Sequence, residues 1–153
     1  VWANKPEKYK IAIVGSEADR FDAITSKQAI SKIQAILNSK QNIILVSGHC
    51  PRGGVDIWAE DVAKGLGIET DIKTPKQCTW EGEYGYKERN KDIAKSCDEI
   101  HVIAVAQRPL GVKEKCHHCE RAGLPSNHVP SGGCWTAIYA KGLGKPAFWH
   151  VVG

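Results

Sequence analysis

Residues 43–66 read IILVSGHCPRGGVDIWAEDVAKGL, and this stretch decides the fold. Four consecutive apolar residues, Ile43 to Val46, are typical of a strand that is buried on both faces. A loop with three glycines and one proline follows, and apolar residues then recur at three- and four-residue steps from Val55 to Leu66. That spacing predicts an amphipathic helix. The segment is therefore the first half of a β-α-β unit.

The same alternation extends in both directions along the chain. Short apolar runs predict four more strands, and helical stripes predict three more helices. The strands are expected at 11–14, 68–72, 100–105 and 147–152, and the helices at about 23–37, 87–96 and 134–143. Because strands joined through helices pair in parallel with right-handed crossovers, the pattern predicts an α/β fold with a mostly parallel five-stranded sheet between two helix layers. A length of 153 residues fits a single domain, residues 1–153.

Glycine-rich segments stand at three places where a ligand would reach the carboxyl edge of this sheet. They are Gly15-Ser16-Glu17, the loop from Ser47 to Asp56, and the segment from Ser131 to Thr136. Glycine lets a ligand approach the backbone, and the first amides of a helix favour an anion because they lack internal partners. We therefore predict a site for a phosphate-bearing nucleotide. Its predicted ligand-binding residues are Gly15, Ser16, Glu17, Ser47, Gly48, Gly53, Gly54, Asp56, Arg89, Asn90, Gly132, Gly133 and Thr136.

Two roles stay open for some of the polar and aromatic side chains near this edge. Arg89, at the head of the third helix, either forks onto a phosphate or is a solvated charge. The aromatic residues Trp80, Tyr84 and Tyr86 either stack on a base or pack their own loop. The sequence has neither a GxxxxGK[ST] motif nor a GxGxxG motif after the first strand, which disfavours a phosphate-loop NTPase and an ordinary NAD dehydrogenase.

The order and spacing of these motifs resemble the SLOG superfamily, and more narrowly its branch related to YspA and YpsA. The resemblance covers residues 10–106 and 131–152. The residues that carry it are Gly15-Ser16, Ser47-Gly48, Gly53-Gly54-Val55-Asp56, Trp80, Tyr84-Gly85, Arg89-Asn90, and Gly132-Gly133 with Thr136. The resemblance implies a Rossmann-like three-layer sandwich that binds nucleotides or NAD-derived ligands. It also implies that Arg89 contacts the phosphate or the base and ribose, that Gly132, Gly133 and Thr136 cradle the phosphate, and that the protein forms a homodimer.

Some SLOG relatives, the LOG-type enzymes, are phosphoribohydrolases that carry a catalytic glutamate just after the threonine of the second glycine-rich motif. Here Ala137, Ile138 and Tyr139 follow Thr136, so any base must come from elsewhere. The candidates are Asp56, Glu60 and Glu17. Nucleotide binding is therefore the leading hypothesis, and whether a reaction is catalysed stays open. The alternative is a nucleoside 5'-monophosphate N-glycosidase, and the third hypothesis is a nucleic-acid-binding protein.

A cysteine and histidine cluster interrupts the α/β pattern at about residues 107–134, where residues 107–130 are expected to be irregular. The spacing of its C-x2-C motif presents two thiolates at a bite that suits zinc. We expect a small zinc-knuckle insertion in which the closed, structural Zn2+ site is formed by Cys116, Cys119, His128 and Cys134, with His118 as the alternative to His128. A disulfide or free thiols are the competing interpretations. Because Cys134 lies within the last glycine-rich segment, zinc would attach the insertion to the rim of the nucleotide site.

Composition sets the remaining expectations. The chain has 21 basic and 17 acidic residues, a net charge of +4 that is spread along the sequence, so nucleic acid is disfavoured as a partner. We expect no contact with membranes, because no apolar run approaches the roughly 20 residues of a membrane span and no secretory leader is visible. Three cysteines cluster with histidines and the other three lie far apart, and the chain has long helix and strand patterns; both features argue against a secreted disulfide framework and favour a cytoplasmic location.

Overall fold

A five-stranded parallel sheet forms the centre of the computed structural model, which describes residues 7–153. Residues 1–6 of the predicted domain lie outside the described range. The described strands are β1 (Tyr9–Gly15), β2 (Ile43–Ser47), β3 (Glu69–Ile72), β4 (Glu99–Val105), β5 (Gln107–Arg108), β6 (Val112–Lys113) and β7 (Ala147–Val152). The α-helices are α1 (Ala23–Leu37), α2 (Val55–Gly65), α3 (Tyr86–Ser96), α4 (His117–Arg121) and α5 (Gly132–Gly142). The predicted α/β fold is thereby confirmed.

The strand order is β3-β2-β1-β4-β7, and all four neighbouring pairs are parallel. The chain runs outward from β1 to β3 and then returns to place β4 on the other side of β1. The order therefore reverses between β1 and β4. In open sheets of this kind the crevice beyond the strand ends at the reversal is the usual ligand site.

Helices cover both faces of the sheet because successive side chains of each strand point to opposite sides. In β1, Ile11 and Ile13 join the core formed with α1 and α2. Ala12 and Val14 join a second core, formed with α3 and α5. All four residues are fully or almost fully buried. The central strand is thus apolar on both faces, as its sequence predicted.

The insertion is more regular than its sequence predicted. β5 and β6 form an antiparallel hairpin, whose turn contains Leu110 and Gly111 in the left-handed region. Cys116 is the N-cap of the five-residue helix α4. Elements of two to five residues are too short to show a hydrophobic period, so the expectation of an irregular segment was wrong here. The amide of Val129 donates to the carbonyl of Val105, and this bond returns the chain to the sheet.

Within the described range, every helix is too short or too polar to span a bilayer.

Candidate functional site

A cavity of about 620 Å³ opens at the carboxyl edge of the sheet, where the strand order reverses. Its walls come from the end of β1, the loop after β2, the loop before α3, and the first turns of α3 and α5. Nine of the thirteen predicted ligand-binding residues line it together. They are Gly15, Ser16, Glu17, Asp56, Arg89, Asn90, Gly132, Gly133 and Thr136.

The other four predicted residues, Ser47, Gly48, Gly53 and Gly54, build the loop behind the cavity and do not line it. Gly54 adopts a φ of 88°, and a Cβ there would stand 2.3 Å from the carbonyl oxygen of Ser16. Glycine at this position therefore lets the start of α2 pack against the loop that follows β1. Gly48 and Gly54 were predicted to bind the ligand, and in the structure both allow close packing between loops.

The first turn of α5 forms one corner of the cavity. Ser131 is the N-cap, and its hydroxyl oxygen accepts a hydrogen bond of 3.0 Å from the amide of Gly133. A Cβ on Gly132 would meet no atom within 4 Å, so the backbone there is open to an approaching group. The hydroxyl of Ser16 lines the same cavity, is 3% exposed and has no hydrogen-bond partner in the described part of the chain. A buried donor without a partner and an open helix start together suit an anion.

The backbone amides at the starts of α2 and α3 are less available to a ligand than the start of α5. The amide of Val55, the first residue of α2, donates to the carbonyl of Ser16 at 3.2 Å. The amides of Tyr86 and Lys87, at the start of α3, donate to the carbonyls of Thr79 and Trp80 at 2.7 and 3.0 Å. The protein's own carbonyls already occupy these amides. At the start of α5 the amide of Gly133 donates to the Ser131 cap, whereas the amide of Gly132 has no partner among the described residues and is the open one.

Arg89 fastens loops to one another. Its Nη1 donates to the carbonyls of Gly48 and Lys73, and its Nε donates to Oδ1 of Asn90 at 2.8 Å. The guanidinium thus connects the loops that follow β2 and β3. It is therefore neither a solvated charge nor a group with all its donors free for a phosphate. A Cβ on Gly48 would stand 2.6 Å from Nη1, so only glycine leaves room for this contact.

Asp56 is a buried carboxylate in the wall of the cavity, 7% exposed. Burial raises the pKa of Asp56 to about 6, although the nearby Arg89 guanidinium opposes the rise. One of its oxygens accepts a hydrogen bond from the amide of Cys50 at 3.2 Å. A carboxylate with a pKa close to neutral pH is equipped to exchange a proton with a bound molecule.

Glu60 lies outside the cavity lining. Its two carboxylate oxygens are each 2.7 Å from a partner, the hydroxyl of Ser47 and Nδ1 of His49. The side chain therefore holds the loop after β2 in place. Among the three acidic candidates for a catalytic base, Asp56 and Glu17 reach the cavity and Glu60 does not.

Sequence reasoning missed two cavity arginines. Arg20 ends a short 3-10 turn, Ala18–Arg20, directly after the Gly15-Ser16-Glu17 loop. Arg52 lies in the glycine-rich loop after β2, with Nη1 3.5 Å from a carboxylate oxygen of Glu17. Both arginines belong to loops that follow strands, and this position in the sequence could have predicted that they lie at the ligand edge of the sheet. They add positive charge to a cavity that also holds two carboxylates.

The four predicted metal ligands converge. Their ligand atoms all lie within 4.8 Å of one another, and all four side chains are buried. Nε2 of His128 is 3.6 Å from Sγ of Cys134. All six cysteines of the chain have free thiols, so no disulfide competes for these residues. His118 packs against the neighbouring His117 and is absent from this group of four.

The chemistry of the donor set fits a metal ion that prefers sulfur and nitrogen. A tetrahedral zinc ion would separate an imidazole nitrogen and a thiolate sulfur by about 3.6 Å. The indole N–H of Trp149 is buried without a hydrogen bond in the described residues, and it lies near enough to Cys119 and Cys134 to lower the pKa of both thiols. Burial nevertheless raises the pKa of these thiols overall, so a cation is needed to hold them as thiolates. The cluster can therefore hold a metal ion.

Comparison with solved structures identifies the fold type. The molybdenum cofactor carrier protein of Chlamydomonas reinhardtii is 16% identical, with a TM-score of 0.60 over 93% of this chain and 76% of that one. The protein TM1055 is 15% identical, with a TM-score of 0.55 over 91% of this chain and 72% of that one. The chain therefore shares the α/β, Rossmann-like fold of these two proteins. No protein-family model and no curated protein matches the sequence.

Proposed function

We propose that the protein binds a phosphate-bearing nucleotide, either a nucleoside monophosphate or a ligand derived from NAD or ADP-ribose, in the cavity at the carboxyl edge of the sheet. The observation that carries the proposal is the corner formed by Ser16 and the first turn of α5. There a buried hydroxyl that has no partner within residues 7–153 and an open helix start line one cavity. A phosphate would accept hydrogen bonds from both.

Several further features support a small-molecule partner. Three arginines, Arg20, Arg52 and Arg89, line the cavity against two carboxylates, Glu17 and Asp56, and this excess of positive charge favours an anionic ligand. A cavity of about 620 Å³ falls within the range of roughly 300–1,000 Å³ that is typical of small-ligand sites. The structural neighbour from Chlamydomonas reinhardtii carries the molybdenum cofactor by name, so the same fold serves a small-molecule carrier there.

We propose zinc as the metal and a structural role for it. Three cysteines and one histidine supply four ligands, which completes a tetrahedron and leaves no position for a catalytic water. His128 and Cys134 flank the Ser131 cap of α5, so the ion would hold the phosphate corner in place. Reduced thiols of this kind accord with a cytoplasmic location, which stays a prediction, as do the homodimer and the branch of the superfamily.

The binding proposal is tested by thermal shift and calorimetry with AMP, GMP, IMP, ADP-ribose, NAD and cyclic nucleotides, with inorganic sulfate as the control anion. A ligand that binds only the folded protein raises its Tm in proportion to the logarithm of its concentration. We expect at least one nucleotide to raise Tm well beyond sulfate at equal concentration. The absence of any nucleotide-specific shift would overturn the proposal.

A second candidate function, N-glycosidic hydrolysis of a nucleoside monophosphate, is favoured by one observation, the position of Asp56. Its buried carboxylate lines the cavity, and burial raises its pKa to about 6. In this reaction Asp56 would take a proton from an attacking water, and the water oxygen would bond to C1' of the ribose as the bond from C1' to the base breaks. The departing base would take up the proton from Asp56, which gives ribose 5-phosphate and the free base. Release of free base by wild type but not by Asp56→Asn, followed by chromatography, would establish the enzyme.

A further inference from the structure

We infer that Trp80 is the stacking surface for a planar heterocyclic ring of the ligand, and that Trp135 on α5 is the positioning residue that holds Trp80 there. This inference rests on the proposed binding of a phosphate-bearing ligand and specifies its other end. It assigns the cavity to molecules that join a flat ring system to a phosphate. It also gives a role to two tryptophans that the phosphate corner leaves unexplained.

Trp80 is exposed in a way that calls for an explanation. Its side chain lines the cavity and is 41% exposed, although an indole is one of the largest apolar groups in a protein. Tyr86 lines the same wall. Aromatic faces left open inside a cavity are the surfaces on which nucleobases stack, and such stacking tolerates any base because every base has a π-face.

The ring of Trp80 contacts the first of two aromatic side chains on α5 that stack on each other. Trp80 and Trp135 meet edge to face, with ring centroids 5.0 Å apart and planes at 87°. Trp135 in turn stacks on Tyr139, with centroids 5.6 Å apart and planes at 10°. The Lys91 ammonium lies over the Tyr139 ring, 5.8 Å from its centroid. Edge-to-face and offset pairs of this kind are favourable arrangements of aromatic rings, so they stabilise the observed position of the Trp80 ring.

The backbone beside Trp80 is fixed as well. The carbonyls of Thr79 and Trp80 accept hydrogen bonds from the first amides of α3, at 2.7 and 3.0 Å. Gly85 closes this loop, because a Cβ there would stand 2.4 Å from the carbonyl oxygen of Thr79. A ring that is held both by its backbone and by a neighbouring ring loses little conformational entropy when a ligand stacks on it.

Neighbouring residues of α5 face different partners. Gly132 and Thr136 line the cavity, whereas Trp135 is not among its lining residues and contacts Trp80 instead. The helix that presents the phosphate corner therefore also sets the position of the ring surface. A ligand held by both must carry its anionic group and its ring on one connected framework, as a nucleotide does.

The experiment compares AMP with ribose 5-phosphate, which has the same sugar and phosphate but no ring. Calorimetry is performed on wild type, Trp80→Leu, Trp135→Leu and Trp135→Phe. We expect Trp80→Leu to weaken AMP binding by about 5- to 150-fold, the range measured for loss of base stacking, and to leave ribose 5-phosphate affinity unchanged. Trp135→Leu should give a smaller selective loss, and Trp135→Phe should keep AMP affinity close to wild type because a phenyl ring keeps an aromatic contact with Trp80.

Trp58→Leu is the matched control. Trp58 also pairs edge to face with an aromatic ring, Phe21 at 5.0 Å, but it lies outside the cavity lining. The Trp58→Leu variant should keep wild-type affinity for both AMP and ribose 5-phosphate. Equal losses of AMP and ribose 5-phosphate affinity in Trp80→Leu would overturn the stacking role and leave the phosphate site standing. If wild type binds neither compound nor any nucleotide of the thermal-shift panel, the binding proposal fails, and the ring assignment fails with it.

Discussion

Nε2 of His128 lies 3.6 Å from Sγ of Cys134, and this contact joins the insertion to the third residue of α5. The first two residues of that helix, Gly132 and Gly133, line the cavity. The cluster of three cysteines and one histidine and the cavity therefore share one helical turn. A displacement of the backbone at Cys134 would therefore also displace Gly132 and Gly133.

Removal of the metal should lower both stability and ligand affinity. In zinc-finger peptides a structural zinc contributes about 10–16 kcal/mol of folding free energy, so chelation should lower Tm by on the order of 10 °C or more. The variant Cys116→Ala should lose the metal, measured by plasma mass spectrometry, and bind nucleotide more weakly. Cys97→Ala is the matched control, since Cys97 is equally buried but lies outside the cluster. Unchanged nucleotide affinity in folded, metal-free protein would contradict the coupling.

Gly132→Ala should abolish ligand binding without unfolding the protein. A Cβ at this position meets no protein atom within 4 Å and projects at the open start of α5, so it would displace the phosphate and not the fold. Gly142→Ala, at the other end of the same helix and equally unobstructed, is the control. Both variants should keep a wild-type Tm or exceed it slightly, because alanine favours a helix over glycine by about 1 kcal/mol. Equal nucleotide affinity in the two variants would refute the phosphate corner.

Gly133→Ala should destabilise the fold. A Cβ on Gly133 would stand 2.8 Å from the backbone nitrogen of Gly15, so α5 and β1 must separate to accept it. Overpacking of this kind typically costs about 1–3 kcal/mol. Urea denaturation should show a lower midpoint than wild type with an unchanged m-value. A wild-type midpoint would mean that the helix moves away from the strand without cost.

The charge of Asp56 should make stability depend on pH. Its folded-state pKa of about 6 lies above the ordinary 3.8, so folding takes up a proton between these values. The contribution of Asp56 to stability is therefore greatest below pH 4 and declines as pH rises through 6. The penalty of the charged form is at most about 3 kcal/mol.

The variant Asp56→Asn should escape this penalty because its side chain does not ionise. Relative to wild type, it should gain stability between pH 4 and pH 7.5, measured as the difference in unfolding free energy at each pH. The paired comparison cancels the effect of acid on the metal cluster, which is the same in both proteins. A difference that stays constant with pH would show that Asp56 does not titrate in this range.

The sequence by itself determined the layers and the edge at which the site lies. An apolar run such as Ile43 to Val46 buries both of its faces only in a strand that lies between two helix layers. The parallel topology then brings the loops that follow the strands to one edge of the sheet. The spacing of Cys116 and Cys119 predicted a metal cluster because local turn geometry alone sets the bite of a C-x2-C motif. These features depend on residues that are close to one another in the sequence, which is why the sequence alone could predict them.

Tertiary structure alone decided which groups at that edge remain free. Arg89 is bound to the carbonyls of Gly48 and Lys73, and the first amide of α2 is taken by the carbonyl of Ser16, contacts between residues far apart in sequence. The contact of Trp135 with Trp80 is likewise long-range. A hydrogen-bonding group can serve a ligand only if no other part of the chain reaches it, and that competition is settled when the loops pack together.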